Sequence, residues 1–181
     1  MSSLYYLASD IPMKAVENPH YKTLSVNEAL KMGIENIPEF MLTSDFDKDK
    51  PGVVLWSDIV MELDTESNNV HIDDFDDDWA VIPWNDGIFC EVKTEKSCKM
   101  QLEWGSYSDG RARQLIDYIK QCLEETDEIE LWHLWLDDES YLLPKKRTVS
   151  AAELVPEDIR RLAEYAAHAE PCRQYCLVIK R

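Results

Sequence analysis

Glycine is scarce in this chain, five among 181 residues, and none of its cysteines carries Cys-x-x-Cys spacing. The first shortage removes the glycine-rich phosphate cradles: neither a dinucleotide fingerprint nor a Walker sequence is present, and no Gly-x-Ser-x-Gly elbow exists. The second, together with an odd count of five cysteines, argues against a disulfide framework or a structural zinc knuckle. Uninterrupted apolar runs stop at five residues, Leu4 to Ala8 and Tyr175 to Ile179, and the N-terminus has neither a basic n-region nor an apolar h-region. No secretory signal or membrane span is readable, and a cytoplasmic protein is expected.

Basic residues are short in the middle of the chain. Residues Glu39 to Glu139 hold 27 of the 36 acids but only 8 of the 19 Lys and Arg, so they account for the whole net charge of −17. A field of that sign repels nucleic acid and anionic membranes and attracts a basic protein surface or cations. The basic patches, Lys145 to Arg147 and Arg160-Arg161, are too small to reverse it, so nucleic acid is not an expected partner.

What remains is a globular composition, 45% hydrophobic with six Trp and eight Tyr, at a length suited to one core. The expectation is a single α+β domain over residues 1–181, with a mostly antiparallel or mixed sheet and two main helices. Ser25 to Glu28 is a capping box that opens a short helix ending near Gly33. From Pro51 the chain breaks into short strand-like runs, Val53 to Trp56, Val70 to Ile72, Trp79 to Ile82, Ile88 to Lys93 and Lys99 to Trp104, the texture of a meander. Arg111 to Leu123 carries an apolar stripe at helical spacing behind Ser108 or Asp109 as cap. Ile129 to Leu136 is apolar on both faces except Glu130 and His133, the habit of a central strand. Lys145 to Val149 is an edge strand. A second capping box, Ser150 to Glu153, and Pro156-Glu157-Asp158 lead into a helix to about residue 167, and Gln174 to Ile179 closes the chain as a strand. The second half thus runs strand, helix, strand, strand, helix, strand, an order compatible with a ferredoxin-like layer.

Several patterns suit chemistry. Asp45, Asp47 and Asp49 have the opening rhythm of a calcium loop, but Lys50 stands where the turn needs glycine and Trp56 where the bidentate glutamate belongs, so no metal site is expected. Glu91, Glu103 and Glu130 lie in expected strands and would form a carboxylate trio if those strands were neighbours. His133 alternates with Ile129, Leu131 and Trp135 and reads as a core histidine. The loop from Gly105 to Gly110 enters a helix, the setting for an anion on free amides, although Asp109 would oppose one. Of the cysteines, only Cys172, beside Arg173, has the neighbouring cation that activates a thiol.

The densest charge is Asp73, Asp74, Asp76, Asp77 and Asp78, with Phe75 and Trp79 set into it and Trp84 close behind. Charge for steering and rings for affinity together make a recognition surface. These eight residues are the expected contact set for a basic protein partner, and the expected role is a non-enzymatic interaction module without cofactors. Its job resembles that of a small immunity or inhibitor protein capping a toxin, a comparison of size and charge alone. The alternatives are a carboxylate-based enzyme or metal-binding domain, and an obligate homo-oligomer burying its aromatic strands.

Overall fold

A computed structural model of the protein describes residues 3–59, 61–64, 69–72, 75–84, 93–104, 106–135, 143–168 and 174–181. The elements follow in the order β1 (Ser3–Ser9), β2 (Tyr21–Leu24), α1 (Val26–Lys31), α2 (Glu39–Leu42), β3 (Val54–Ser57), β4 (Met61–Asp64), β5 (Asn69–Ile72), β6 (Trp79–Pro83), β7 (Cys98–Trp104), α3 (Asp109–Cys122), β8 (Glu128–Trp135), β9 (Lys145–Ser150), α4 (Pro156–His168) and β10 (Tyr175–Lys180). The fold class is α+β, as expected, with a mixed, mostly antiparallel six-stranded sheet. Contacts gather the chain into two compact units, Met1–Glu17 with Phe75–Arg181, and Asn18–Asp74.

The first unit holds the six-stranded sheet, ordered β6-β7-β1-β8-β10-β9. Every neighbouring pair is antiparallel except β9 with β10. β1 lies between β7 and β8, with Tyr6 opposite Gln101 on one side and Trp132 on the other. The ferredoxin-like arrangement does not form, although the element order of the second half does. In that layer two crossovers interleave; here α4 joins two directly adjacent parallel strands, and β1 fills the gap between β7 and β8.

Both long helices bury their stripes against one sheet face. Leu115, Ile116 and Ile119 of α3 and Ile159 and Leu162 of α4 cluster with Leu7, Val81, Leu102, Leu131, Leu177 and Ile179. A fully buried side chain of this kind contributes about 1.5–3 kcal/mol, against about 1 kcal/mol for the cap that Ser108 Oγ gives the Arg111 amide, so packing decides where α3 forms. The other face carries a second cluster of Leu4, Tyr6, Ala8, Trp132, Leu134, Cys176 and Val178, in which the Tyr6 and Trp132 rings stack 5.7 Å apart. Burial on both faces is why β8 reads as a nearly continuous apolar run.

The two sheet edges are treated differently. β6 is covered by the N-terminal segment, where Val16 and Val81 exchange both backbone hydrogen bonds at 2.9 Å. β9 is the last strand at the other end.

In the second unit β2 pairs with β3 and these strands, with α1 and the segment through α2, gather around Val26, Ala29, Ile37 and Val54, while β4 pairs antiparallel with β5. The Ser25–Glu28 capping box is present, Ser25 Oγ accepting from the Glu28 amide and Glu28 Oε2 from the Ser25 amide. Gly33, at φ +77°, turns the chain after α1. Among the described residues the strands expected as one meander are divided among three sheets: β3 pairs back to β2, β4 and β5 pair with each other, and β6 and β7 join the main sheet. The expected strand Ile88 to Lys93 falls outside the described residues except at Lys93. Ser150 and Glu153 do bond, through Oγ and Oε2 at 3.0 Å, but they close a turn. α4 begins later, where Asp158 reaches back to the Val155 amide. Among the described residues no helix is long and apolar enough to cross a membrane.

Candidate interaction surface

The turn Phe75–Asp78 leads into β6 and is held from beneath by one buried cation. Arg111 lies in the first turn of α3 and is only 2% exposed. Its Nε donates to the Phe75 carbonyl at 3.0 Å, Nη1 to the Ser106 carbonyl at 2.8 Å and to Ser106 Oγ at 3.0 Å, and Nη2 lies 3.7 Å from Asp78 Oδ2. A planar fork presents donors to acceptors in several fixed directions at once, which a lysine ammonium does not. The Asp78 amide closes the turn onto the Phe75 carbonyl at 3.2 Å.

Asp76 fastens the same turn to the start of α3. Its Oδ1 accepts from Ser108 Oγ at 3.3 Å, and a Cβ placed on Gly110 would fall 1.7 Å from Asp76 Cγ. Glycine at 110 is thus a requirement of close approach. The carboxylate occupies the helix N-terminal setting that the Gly105–Gly110 loop offers an anion, so the protein supplies its own charge there.

Of the eight expected contact residues, Phe75, Asp76 and Asp77 are exposed, Phe75 at 37%. Asp73 and Asp74 lie outside the described residues. Asp78 is buried against Arg111. Trp79 corrects the expectation of a surface ring: it is 6% exposed, its Nε1 donates to Gln114 Oε1 at 3.1 Å, and its ring meets Tyr118 edge-on at 6.0 Å. The cause is strand parity, because Trp79 and Val81 alternate onto the face that α3 covers. Trp84 is half-buried, its ring against Tyr6 at 5.5 Å on the opposite face.

The other candidates separate. Asp47 Oδ1 accepts from the Asp49 amide, Asp49 Oδ1 from Asn27 Nδ2 at 2.7 Å and Asp45 Oδ1 from Ser44 Oγ, so each carboxylate serves a different local partner. Among the described residues no three His, Cys, Asp or Glu converge on a point that would hold a metal ion. Glu91 lies outside them. Glu103 and Glu130 do not meet: Glu103 stands opposite Ala80 of β6 and is exposed, whereas Glu130 stands opposite Ala8 of β1 and is buried. His133 is fully buried, and burial drives its pKa down to about 4. Burial raises the Cys122 and Cys176 thiols, which leaves both poor nucleophiles at neutral pH. Cys90 and Cys172 lie outside the described residues.

One cluster escaped the sequence reading. Glu130 Oε2 accepts from Thr94 Oγ1 and from Trp132 Nε1 at 2.8 Å, and Oε1 accepts from Lys146 Nζ at 2.9 Å. Burial alone would raise this carboxyl, but the three donors outweigh it and hold the group below the ordinary carboxylate value. Nearby, Lys96 pairs with Asp10 at 2.8 Å and Glu128 at 3.1 Å, and the charges ring a polar depression of about 560 Å³. With its oxygens taken by donors and its proton held off, Glu130 is built to keep strands together. The visible signal was a lone glutamate in an apolar strand with Trp132 on its own face. Neither a protein-family model, nor a curated protein, nor a solved structure matches this chain.

Proposed function

We propose that the protein is a non-enzymatic interaction module that holds a basic protein partner against an acidic surface, much as a small immunity or inhibitor protein caps a toxin. The observation that carries this reading is the turn locked by Arg111, which offers an exposed Phe75 ring beside the exposed carboxylates of Asp76 and Asp77. A surface fixed before contact loses little conformational freedom on binding. Phe75 supplies apolar contact, the two aspartates supply charge, and the net −17 steers a cation toward them. Asp78 and Trp79 take a positioning role, since both are buried, and Trp84 is half-buried against Tyr6.

The reading is tested by capturing partners from a lysate of the native source on the full chain and measuring binding rates for each basic protein recovered. The association rate should fall as salt rises past physiological strength, where screening acts over about 8 Å. Asp76→Asn with Asp77→Asn should slow association, and Phe75→Ala should speed dissociation, by about 2 kcal/mol if the ring is a hot spot. Recovery of no basic partner, or rates that these substitutions leave unchanged, would end the reading.

A further inference from the structure

We propose that the outer edge of β9 receives an extended acidic segment of another protein, which adds to the sheet as a seventh strand and seats an apolar side chain in the cleft between β9 and α4. Residues of the Phe75–Asp78 turn play no part in it.

The backbone supplies the first argument. The amides of Lys145 and Ala151 donate inward, to the carbonyls of Gln174 and Lys180 at 3.0 and 2.6 Å. Alternation then turns the N–H and C=O groups of Lys146 and Thr148 to the outer side. Among the described residues no strand pairs there, whereas the opposite edge is covered by Val16. Lys145 to Thr148 are exposed without interruption, and no proline or bulge interrupts β9. A strand of this kind is a template for strand addition.

The side chains supply the second. A cleft of about 250 Å³ lies beside the edge, with Leu162, Tyr175 and Leu177 as apolar surface and Lys145, Arg147 and Arg161 as cationic surface. Among the described residues Asp158 is the one acid that lines it, paired to Arg147. Lys145 has no carboxylate partner among the described residues; its ammonium lies 5.9 Å from the centre of the Tyr175 ring. Leu143, 85% exposed just before the strand, extends the apolar surface along the edge. A basic, partly apolar groove on a chain of net charge −17 selects an acidic, partly apolar segment. The same lysines repel a second copy of β9, which would set Lys145 to Arg147 against their own kind, so the edge excludes self-pairing while remaining open to an acid.

The probe is a fluorescent synthetic peptide that alternates glutamate with valine around a central phenylalanine, titrated against the full chain. Its controls are the same peptide with lysine for glutamate, and the acidic peptide N-methylated on alternate amides. The acidic peptide should bind, and both controls should fail. Lys145→Glu and Arg161→Glu should each weaken binding about tenfold. Thr148→Pro, which removes an outward N–H and no bond to β10, should weaken it comparably with the circular dichroism spectrum retained. Equal binding of the acidic and lysine peptides, or none, would overturn the proposal. Equal binding of the N-methylated peptide would reduce the contact to charge attraction and overturn strand addition without relying on any variant. A dimer in sedimentation that Thr148→Pro dissolves would assign the edge to a second copy and overturn it as well.

Discussion

The Glu130 carboxylate on β8 holds the Lys146 ammonium of β9 at 2.9 Å, with β10 lying between their strands. The ammonium also sits 4.9 Å from the centre of the Trp132 ring, so the two outer strands are tied over the central one by a charge pair and a cation–π contact. Removing the carboxylate strands the Trp132 and Lys146 donors. Glu130→Ala should therefore cost about 2 kcal/mol or more in urea denaturation, and Glu130→Gln, which keeps an acceptor, about half as much. Because the folded carboxyl is held below its ordinary value, its stabilising share is present above the carboxylate range and lost as pH falls through it. Glu130→Gln should flatten that part of the acid limb.

Arg111→Ala should be among the most destabilising single changes in the first unit, costing about 3–5 kcal/mol, since it leaves Asp78 buried without its counter-charge. Arg111→Lys keeps the charge and loses the fork, and should free the turn while the fold survives. Limited proteolysis near Phe75 in the folded lysine variant reports that freedom; a turn as resistant as in the parent would show that Arg111 does not lock it.

Gly110 and Asp76 should be coupled. Gly110→Ala displaces the Asp76 carboxylate from α3, and in an Asp76→Gly background the same change meets no carboxylate and gains the helix preference of alanine, about 1 kcal/mol at most. A double-mutant cycle should return an interaction of about 1 kcal/mol. Simple additivity would mean that Asp76 does not rest on the helix.

His133 gives the fold an acid sensitivity. Its imidazole is buried against the Tyr5 ring, 4.8 Å away, and aligned with Tyr175 on β10, and burial brings it from 6.5 to about 4. Tyr5 itself is pushed up to about 12 by burial and stays neutral throughout. Between the two histidine values the unfolded chain takes up a proton that the folded chain refuses, so stability is full above about 6.5 and declines as pH falls toward about 4. The loss across that window is on the order of 3 kcal/mol. Chemical denaturation at several pH values should show His133→Leu with a flatter profile than the parent; identical slopes would mean that the ring is not held neutral.

Local signals in the sequence located the elements that carry their own pattern. The stripe and cap of α3, the start of α4 at Pro156 and the two-sided apolar run of β8 were each legible within a short window. Partner choice was not. Nothing within Val53 to Trp56 says that it pairs back to Tyr21–Leu24, and nothing within Leu4 to Ala8 says that it enters the sheet between β7 and β8, because pairing is decided by residues far along the chain. The acidic turn was legible as charge and misjudged as geometry. Trp79 shares parity with Val81, which was enough to place it inside once α3 was recognised as the cover, whereas the need for glycine at 110 exists only through Asp76.

The position of β1 has a consequence for how the chain is made. It is translated before both of its sheet neighbours, β7 and β8, which follow only after the whole of residues 18–74 has emerged. Its apolar faces, Leu7 on one side and Tyr6 on the other, must wait exposed until those neighbours emerge. Contacts of such long sequence separation are paid for in loop entropy before they give anything back, which makes the main sheet slow to nucleate. The Asn18–Asp74 unit, whose strands pair within its own length, has no such delay. Chaperone contact during translation should therefore concentrate on the N-terminal strand and end when β8 emerges.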